Sequence, residues 1–276
     1  MSKLECNVCH HHCKLNENQT GLCKARSNSD GKIVPVNYGE ITGIALDPIE
    51  KKPLKRFYPG NKILSVGSFG CNLKCSFCQN HEISTVGKGE IKTQYATPED
   101  LIQIALDLIS RGNIGIAYTY NEPLIGYEFV LDCAVLAKKN KLKNVVVTNG
   151  CFNEDILNEV APYIDAFNID LKGFSDKFYK SISGSFELVK SFIAAAHKNA
   201  HIEITTLIIT GENDSEEEII NLSDFIASID ENIPLHISRF FPNYIMKEKR
   251  PTEVKRVYEL AKIARRKLIY VYEGNC

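Results

Sequence analysis

Three cysteines, Cys71, Cys75 and Cys78, stand at C-x3-C-x2-C directly after the strand-like run Ile63 to Gly67, with no fourth cysteine nearby. A closed zinc site takes four protein ligands, and an iron–sulfur cluster normally takes four cysteines. Three thiolates therefore suit a four-iron four-sulfur (4Fe-4S) cluster whose fourth iron is left for an external ligand. Gly70 lets the chain turn sharply off the strand, and Phe77, between the last two cysteines, would shield the cluster. The competing reading is a zinc knuckle that borrows His81.

A second group, Cys6, Cys9, Cys13 and Cys23, follows C-x2-C-x3-C-x9-C. Four thiolates close a tetrahedral zinc site unaided, and four also hold an auxiliary iron–sulfur cluster. His10, His11 and His12 between them read as solvated loop residues, because the thiolates already suffice. Cys133 and Cys151 belong to no close group and read as packing residues. Cys276 is the last residue of the sequence and reads as a vestige, a late ligand or a free thiol.

The elements that must position these groups alternate. Strand-like runs cover 63–68, 114–119, 143–148, 164–170, 202–208 and 233–238, with helical patterns between them. Thr97-Pro98-Glu99-Asp100 is a helix start, and Gly112 ends that helix. Alternation of this kind implies a parallel sheet with helices outside. Polar residues collect where the strands end: Asn121 and Glu122, then Thr148 and Asn149, then Asp170 and Lys172 on one strand face, then His236, Ser238 and Arg239. Residues 32–58 read as an extended segment, of which Asp47 to Leu54, charged and with two prolines, reads as a loop. The expected division is 1–58 for the cysteine module with its extended segment and 59–276 for the strand–helix domain.

Composition narrows the classes. The 276 residues are 44% hydrophobic and 24% charged, ordinary for a soluble globular protein, and can bury a large core. A net charge of −1 gives no basic field to draw nucleic acid or an anionic membrane. Neither a signal-peptide core nor an apolar run of membrane-spanning length is visible. The clustered cysteine spacings suit metal sites in a reducing cytoplasm rather than disulfides.

The cluster loop, with its aromatic before the third cysteine, resembles that of the radical S-adenosylmethionine superfamily. The chain resembles its pyruvate formate-lyase activating enzyme branch, and more narrowly the AmmeMemoRadiSam system radical SAM enzymes. The resemblance runs from Cys6 to about Cys276, through Cys6 to Arg26, Asp47 to Leu54, Thr119-Tyr120-Asn121-Glu122-Pro123 and His236 to Pro242. It implies an α/β fold, a partial (β/α)6 barrel with the site at the C-terminal strand ends. It implies a 4Fe-4S cluster and S-adenosylmethionine as cofactors. Reductive cleavage of the latter, driven by a flavodoxin- or ferredoxin-like donor, would give a 5′-deoxyadenosyl radical that takes hydrogen from a substrate. Glu122 would meet the methionyl ammonium, with Asn121 a weaker candidate, and Lys172 the methionyl carboxylate beside Asp170. Thr148 and Asn149 could bond cofactor, His236 cofactor or substrate, and Arg239 could clamp a carboxylate. Val147 stands where similar activating enzymes carry an aspartate that helps hold a monovalent cation. Glu50, Lys51 and Lys52 would border the mouth. A protein substrate is the expected one, and the family name suggests association with Memo-like and AMMECR1-like proteins. The rival class is a non-enzymatic iron–sulfur electron carrier or redox sensor.

Overall fold

The computed structural model describes residues 3–276. Eight strands form one sheet: β1 (Gly43–Pro48), β2 (Lys62–Gly67), β3 (Asn113–Tyr118), β4 (Lys143–Thr148), β5 (Ala166–Asp170), β6 (His201–Ile208), β7 (Leu235–Arg239) and β8 (Val271–Gly274). Their spatial order follows the sequence, and every pair is parallel except β1 against β2. The six expected strands are β2 to β7. Of the two edges, β1 falls in the segment read as extended, with its last two residues in the stretch read as a loop, whereas β8, only four residues long, was not expected.

Helices α1 (Pro98–Asp107), α2 (Tyr127–Lys139), α3 (Glu154–Val160), α4 (Asp176–Ser181), α5 (Phe186–His197), α6 (Glu216–Ile229) and α7 (Val254–Ala264) fill the connections. The α1 start is a reciprocal cap: Thr97 Oγ1 accepts from Asp100 N, and the Asp100 carboxylate accepts from Thr97 N. Its buried stripe is Leu101, Ile102 and Ala105, whereas Ile104 and Ile109 are exposed. Among the described residues no helix is long and apolar enough to cross a membrane.

Alternation along the strands divides the core in two. Leu64, Val66, Ile116, Val146, Phe167, Ile169 and Ile204 face the helices. Ile63, Ala117, Val145 and Ala166 face inward and meet Ile49, Leu54 and Phe57, all buried. The segment after β1 is therefore a plug for the N-terminal end of the barrel, and only in part the solvated loop its charges suggest. Lys52 is buried within it, bonded to Asp47 at 2.9 Å and lying over the Tyr120 ring. The plug meets the far side where Arg56 stacks on Tyr270, 4.0 Å from the ring centre.

The cysteine module packs on the barrel rather than hanging from it. Arg26 is buried and forks onto Glu128 of α2 at 2.9 and 2.6 Å. His11 Nε2 lies 2.7 Å from the Asn72 carbonyl and His10 Nε2 2.9 Å from that of Ser183. These two histidines are ties between module and barrel, not solvated loop residues.

Candidate active site

A cavity of about 630 Å³ opens at the C-terminal ends of the strands. Cys71, Cys75 and Cys78 all line it, on the loop that leaves β2. That loop is fixed on several sides. Gly70 has φ +87°, and a Cβ there would lie 2.5 Å from the Cys23 carbonyl, so only glycine fits. The same carbonyl accepts from Cys71 N at 3.1 Å, joining the two cysteine groups through one hydrogen bond. Asn121 braces the start of the loop: its Oδ1 accepts from Ser68 N, and its Nδ2 donates to the carbonyls of Phe69 and Gly70.

Glu122 is 3% exposed, and both its oxygens are taken by the protein. Oε1 accepts from Leu124 N and Thr148 Oγ1, and Oε2 from Asn149 N at 2.8 Å. Asn149 Nδ2 then donates to Asn72 Oδ1, beside Cys71. Glu122 so clamps the ends of β3 and β4 together under the cluster loop. Burial, with little help from its neutral partners, pushes its pKa up to about 7.

Asp170 and Lys172 both line the cavity and pair at 2.9 Å. Burial works against the Lys172 ammonium, but Asp170, Cys75 and Cys78 more than offset it and raise its pKa. Lys172 therefore stays charged beside the loop that carries the three thiols. Burial pushes the Cys71 thiol well up and that of Cys75 up to about 12, so metal charge is what would stabilise their thiolates.

The opposite wall is built on a residue the sequence did not single out. Glu203 on β6 is fully buried. Its carboxylate accepts from His236 Nε2 at 2.6 Å, Lys55 N at 2.9 Å and Arg56 N at 2.7 Å, and lies 3.0 Å from His201 Nε2. Burial would raise its pKa, yet these partners drive it down to about 2. An acid at an inward position between Ile202 and Ile204 was the available signal. His236 lines the cavity as expected. Arg239 does not: its Nε donates to the Thr252 carbonyl at 2.6 Å and its guanidinium lies over Phe241. Glu50 and Lys51 line the mouth, while Lys52 is turned down into the plug.

Among the described residues no three His, Cys, Asp or Glu side chains are gathered around a single ion position. A cluster asks for something else, thiolates on separate irons, and three cysteines on one cavity wall fit that demand. In the N-terminal group Cys6, Cys9 and Cys23 are buried and Cys13 partly so, and burial, with the other cysteines adding to it, raises the Cys9 and Cys23 thiols.

The model of the radical SAM superfamily matches residues 65–223. A protein of Methanocaldococcus jannaschii described as uncharacterized is 36% identical over 99% of this chain and 82% of its own length. The pyruvate formate-lyase-activating enzyme of Clostridium pasteurianum is 26% identical over 58% of this chain and 67% of its own. The chain spans about half the length (47%) of the 4-hydroxyphenylacetate decarboxylase activating enzyme of Clostridioides difficile, also 26% identical. Among solved structures, SuiB of Streptococcus suis aligns with a TM-score of 0.59 over 77% of this chain and 48% of its own, at 16% identity, a likeness of fold.

Proposed function

The chain belongs to the radical S-adenosylmethionine superfamily and is an enzyme of it, and from that premise we propose that it acts on a segment of another protein. Cys71, Cys75 and Cys78 would hold a 4Fe-4S cluster with one iron open. When bound, cluster and S-adenosylmethionine would supply one-electron, hydrogen-abstracting radical chemistry. The protein's part is placement and exclusion of water. Lys172 offers a fixed cation to the methionyl carboxylate, and Asp170 orients it. Glu122 acts mainly through Thr148 and Asn149, which it holds at the cavity wall. His236 presents its ring from the opposite wall.

The observation that carries a protein substrate is the unclosed sheet. β1 and β8 are both edges, unpaired with each other. Residues following β1 (Glu50, Lys51) and at the end of β8 (Glu273, Gly274, Asn275) line the same cavity. The gap is plugged below by residues 49–57; above the plug, the unpaired edges would admit an extended peptide. The activating enzymes among the relatives point the same way.

The same reading extends to the finer features. The four N-terminal thiols are not gathered around one ion position, so they would hold structural zinc only by closing on the ion, or an auxiliary cluster, and in either case brace the Cys23–Cys71 contact. The reductant would be a flavodoxin- or ferredoxin-like protein in a reducing cytoplasm, and the AmmeMemoRadiSam grouping would bring Memo-like and AMMECR1-like proteins as associates. The test uses extract from cells grown on deuterated nutrients, separated into protein and small-molecule fractions. Each is offered to the anaerobically reconstituted enzyme with S-adenosylmethionine and reductant. Deuterium should enter 5′-deoxyadenosine from the protein fraction; label arriving from the small molecules alone overturns a protein substrate.

A further inference from the structure

We infer that Glu203 is a positioning residue for the reaction. It holds the His236 ring with the Nε2 hydrogen turned to the carboxylate and the Nδ1 lone pair turned to the cavity, as the acceptor for a backbone N–H of the substrate. The substrate class rests on the reading that this chain acts on a protein segment; the orientation of the ring does not.

Glu203 cannot swing. A carboxylate offers about four acceptor sites. Arg56 N and His201 Nε2 take those of one oxygen, Lys55 N and His236 Nε2 those of the other. The carboxyl stays ionised throughout the neutral range, with its pKa driven down to about 2. An ionised carboxylate has no hydrogen to give, so the hydrogen in the 2.6 Å contact belongs to His236 Nε2. When the imidazole carries one hydrogen it is this one, and Nδ1 is left with a lone pair.

The ring is also fixed in plane. Tyr272, its register partner on β8, stacks on it at 5.3 Å and 29°. Thr205, its register partner on β6, gives its hydroxyl to Asn168 and does not compete for Nδ1. Among the described residues Glu203 is the one group bonded to this ring, yet Nδ1 is not a buried orphan, so the cavity that His236 lines is what reaches it. His236 lies one strand in from the β8 edge, where the sheet is left unclosed. Two residues on, Ser238 lines the same wall. Gly274 opposes it, and a Cβ there would lie 2.8 Å from Ser238 Oγ, so glycine leaves that hydroxyl uncovered. Groups at i and i+2 of a strand stand about 7 Å apart, the repeat of an extended chain, so one peptide can meet both. A bond from its N–H to Nδ1 would hold the reacting C–H in place, with no proton transferred.

The test uses the full, reconstituted chain. Nitrogen-15 NMR of the oxidised holoenzyme, with the His236 signals assigned by their loss in His236→Phe, reads which ring nitrogen carries the hydrogen. In wild type it should be Nε2. Two further quantities are deuterium passed to 5′-deoxyadenosine from the deuterated protein fraction, and the dissociation constant for S-adenosylmethionine. Glu203→Gln, which removes the charge and places a donor in the site, should mix the two tautomers and lower label transfer about tenfold. His236→Phe keeps the ring over Tyr272 without either nitrogen and should lower it as much. Adding Glu203→Gln to His236→Phe should then cost nothing further, and S-adenosylmethionine affinity should stay within about twofold of wild type throughout. A hydrogen on Nδ1 in wild type overturns the proposal without any variant. So does a further tenfold loss in the double variant, which would make Glu203 a support for the wall alone. A tenfold loss of S-adenosylmethionine affinity overturns the substrate N–H and assigns Nδ1 to the cofactor. Failure of the protein-substrate reading looks different: wild type itself would take no label from the protein fraction, while the spectrum would still read the ring.

Discussion

Two buried glutamates, Glu122 on the cavity wall and Glu203 outside the cavity lining against the plug, are opposite in chemistry. Glu122, on the cluster side, is bonded to two backbone N–H groups and a hydroxyl, and its pKa sits near neutrality, at about 7. Glu203, on the far side, is bonded to two backbone N–H groups and two imidazoles, and its pKa is driven down to about 2. Burial pushes both up; only the partners differ. A buried carboxylate with neutral donors is a clamp that tolerates a proton, whereas one with imidazole donors is an ionic anchor. The cluster-side wall is thus held together by hydrogen bonds. An ionised carboxylate organises the far wall and also locks the plug through Lys55 N and Arg56 N.

The comparison breaks most visibly at Glu203. Glu203→Ala leaves His236 and His201 without their acceptor and two backbone donors of the plug unmet. It should cost about 3–5 kcal/mol, the scale for leaving several buried donors without their charged acceptor. Urea unfolding of the metal-free protein measures this. A loss below about 1 kcal/mol would mean that the plug is held by Ile49, Leu54 and Phe57 without help from the carboxylate.

At Glu122 the readout is a slope. Its folded pKa is raised, so its contribution is complete below the unfolded value of 4.5 and is lost as pH rises through about 7. Glu203 is lowered, so its contribution is complete above 4.5 and is lost as pH falls toward about 2. Between about pH 5 and pH 8 Glu122, and not Glu203, should tilt the stability of the metal-free protein downward with pH, by up to about 3 kcal/mol, against an upward tilt from His10, whose pKa burial lowers. Glu122→Gln should remove that tilt even where the amide itself costs stability by facing an N–H. Equal slopes for wild type and variant, from urea titrations across that range, would show Glu122 ionised throughout.

What the sequence disclosed follows from how local each signal is. The cluster loop needs ligands only three and four residues apart, so it reads directly from Cys71, Cys75 and Cys78. The strand–helix alternation reads from apolar periodicity in short windows. The plug does not, because Glu50, Lys51 and Lys52 look solvated, and the residues that bury Ile49 and Leu54 (Ala117, Val145 and Ala166) lie far along the chain. Glu203 is hidden for the same reason: its partners come from residues 55–56, 201 and 236. His10 and His11 were misread because their acceptors are backbone carbonyls at residues 183 and 72, which no side-chain pattern reveals.

Arg239 gives the smallest effect and sharpens which charges of the far wall address the cavity. Sequence placed it as a carboxylate clamp, since it follows His236 and Ser238 at a strand end. Inward positions on β7 alternate, however, and His236 and Ser238 occupy them, which sends residue 239 to the other face. There its Nε is bound to the Thr252 carbonyl and its plane is covered by Phe241. Thr252, fully buried, donates its own hydroxyl to the Ile208 carbonyl, so this arginine helps pin the segment before α7 to the ends of β6 and β7. Arg239→Met, which keeps the stem over Phe241 and drops the donor, should cost about 1 kcal/mol in unfolding free energy. It should leave the S-adenosylmethionine affinity of the reconstituted enzyme within about twofold of wild type, whereas Lys172→Met, which removes a cation from the cavity wall, should weaken it about tenfold or more. Equilibrium dialysis with labelled cofactor separates the two. A tenfold loss at Arg239 would mean that the guanidinium leaves Thr252 and swings into the cavity when cofactor binds.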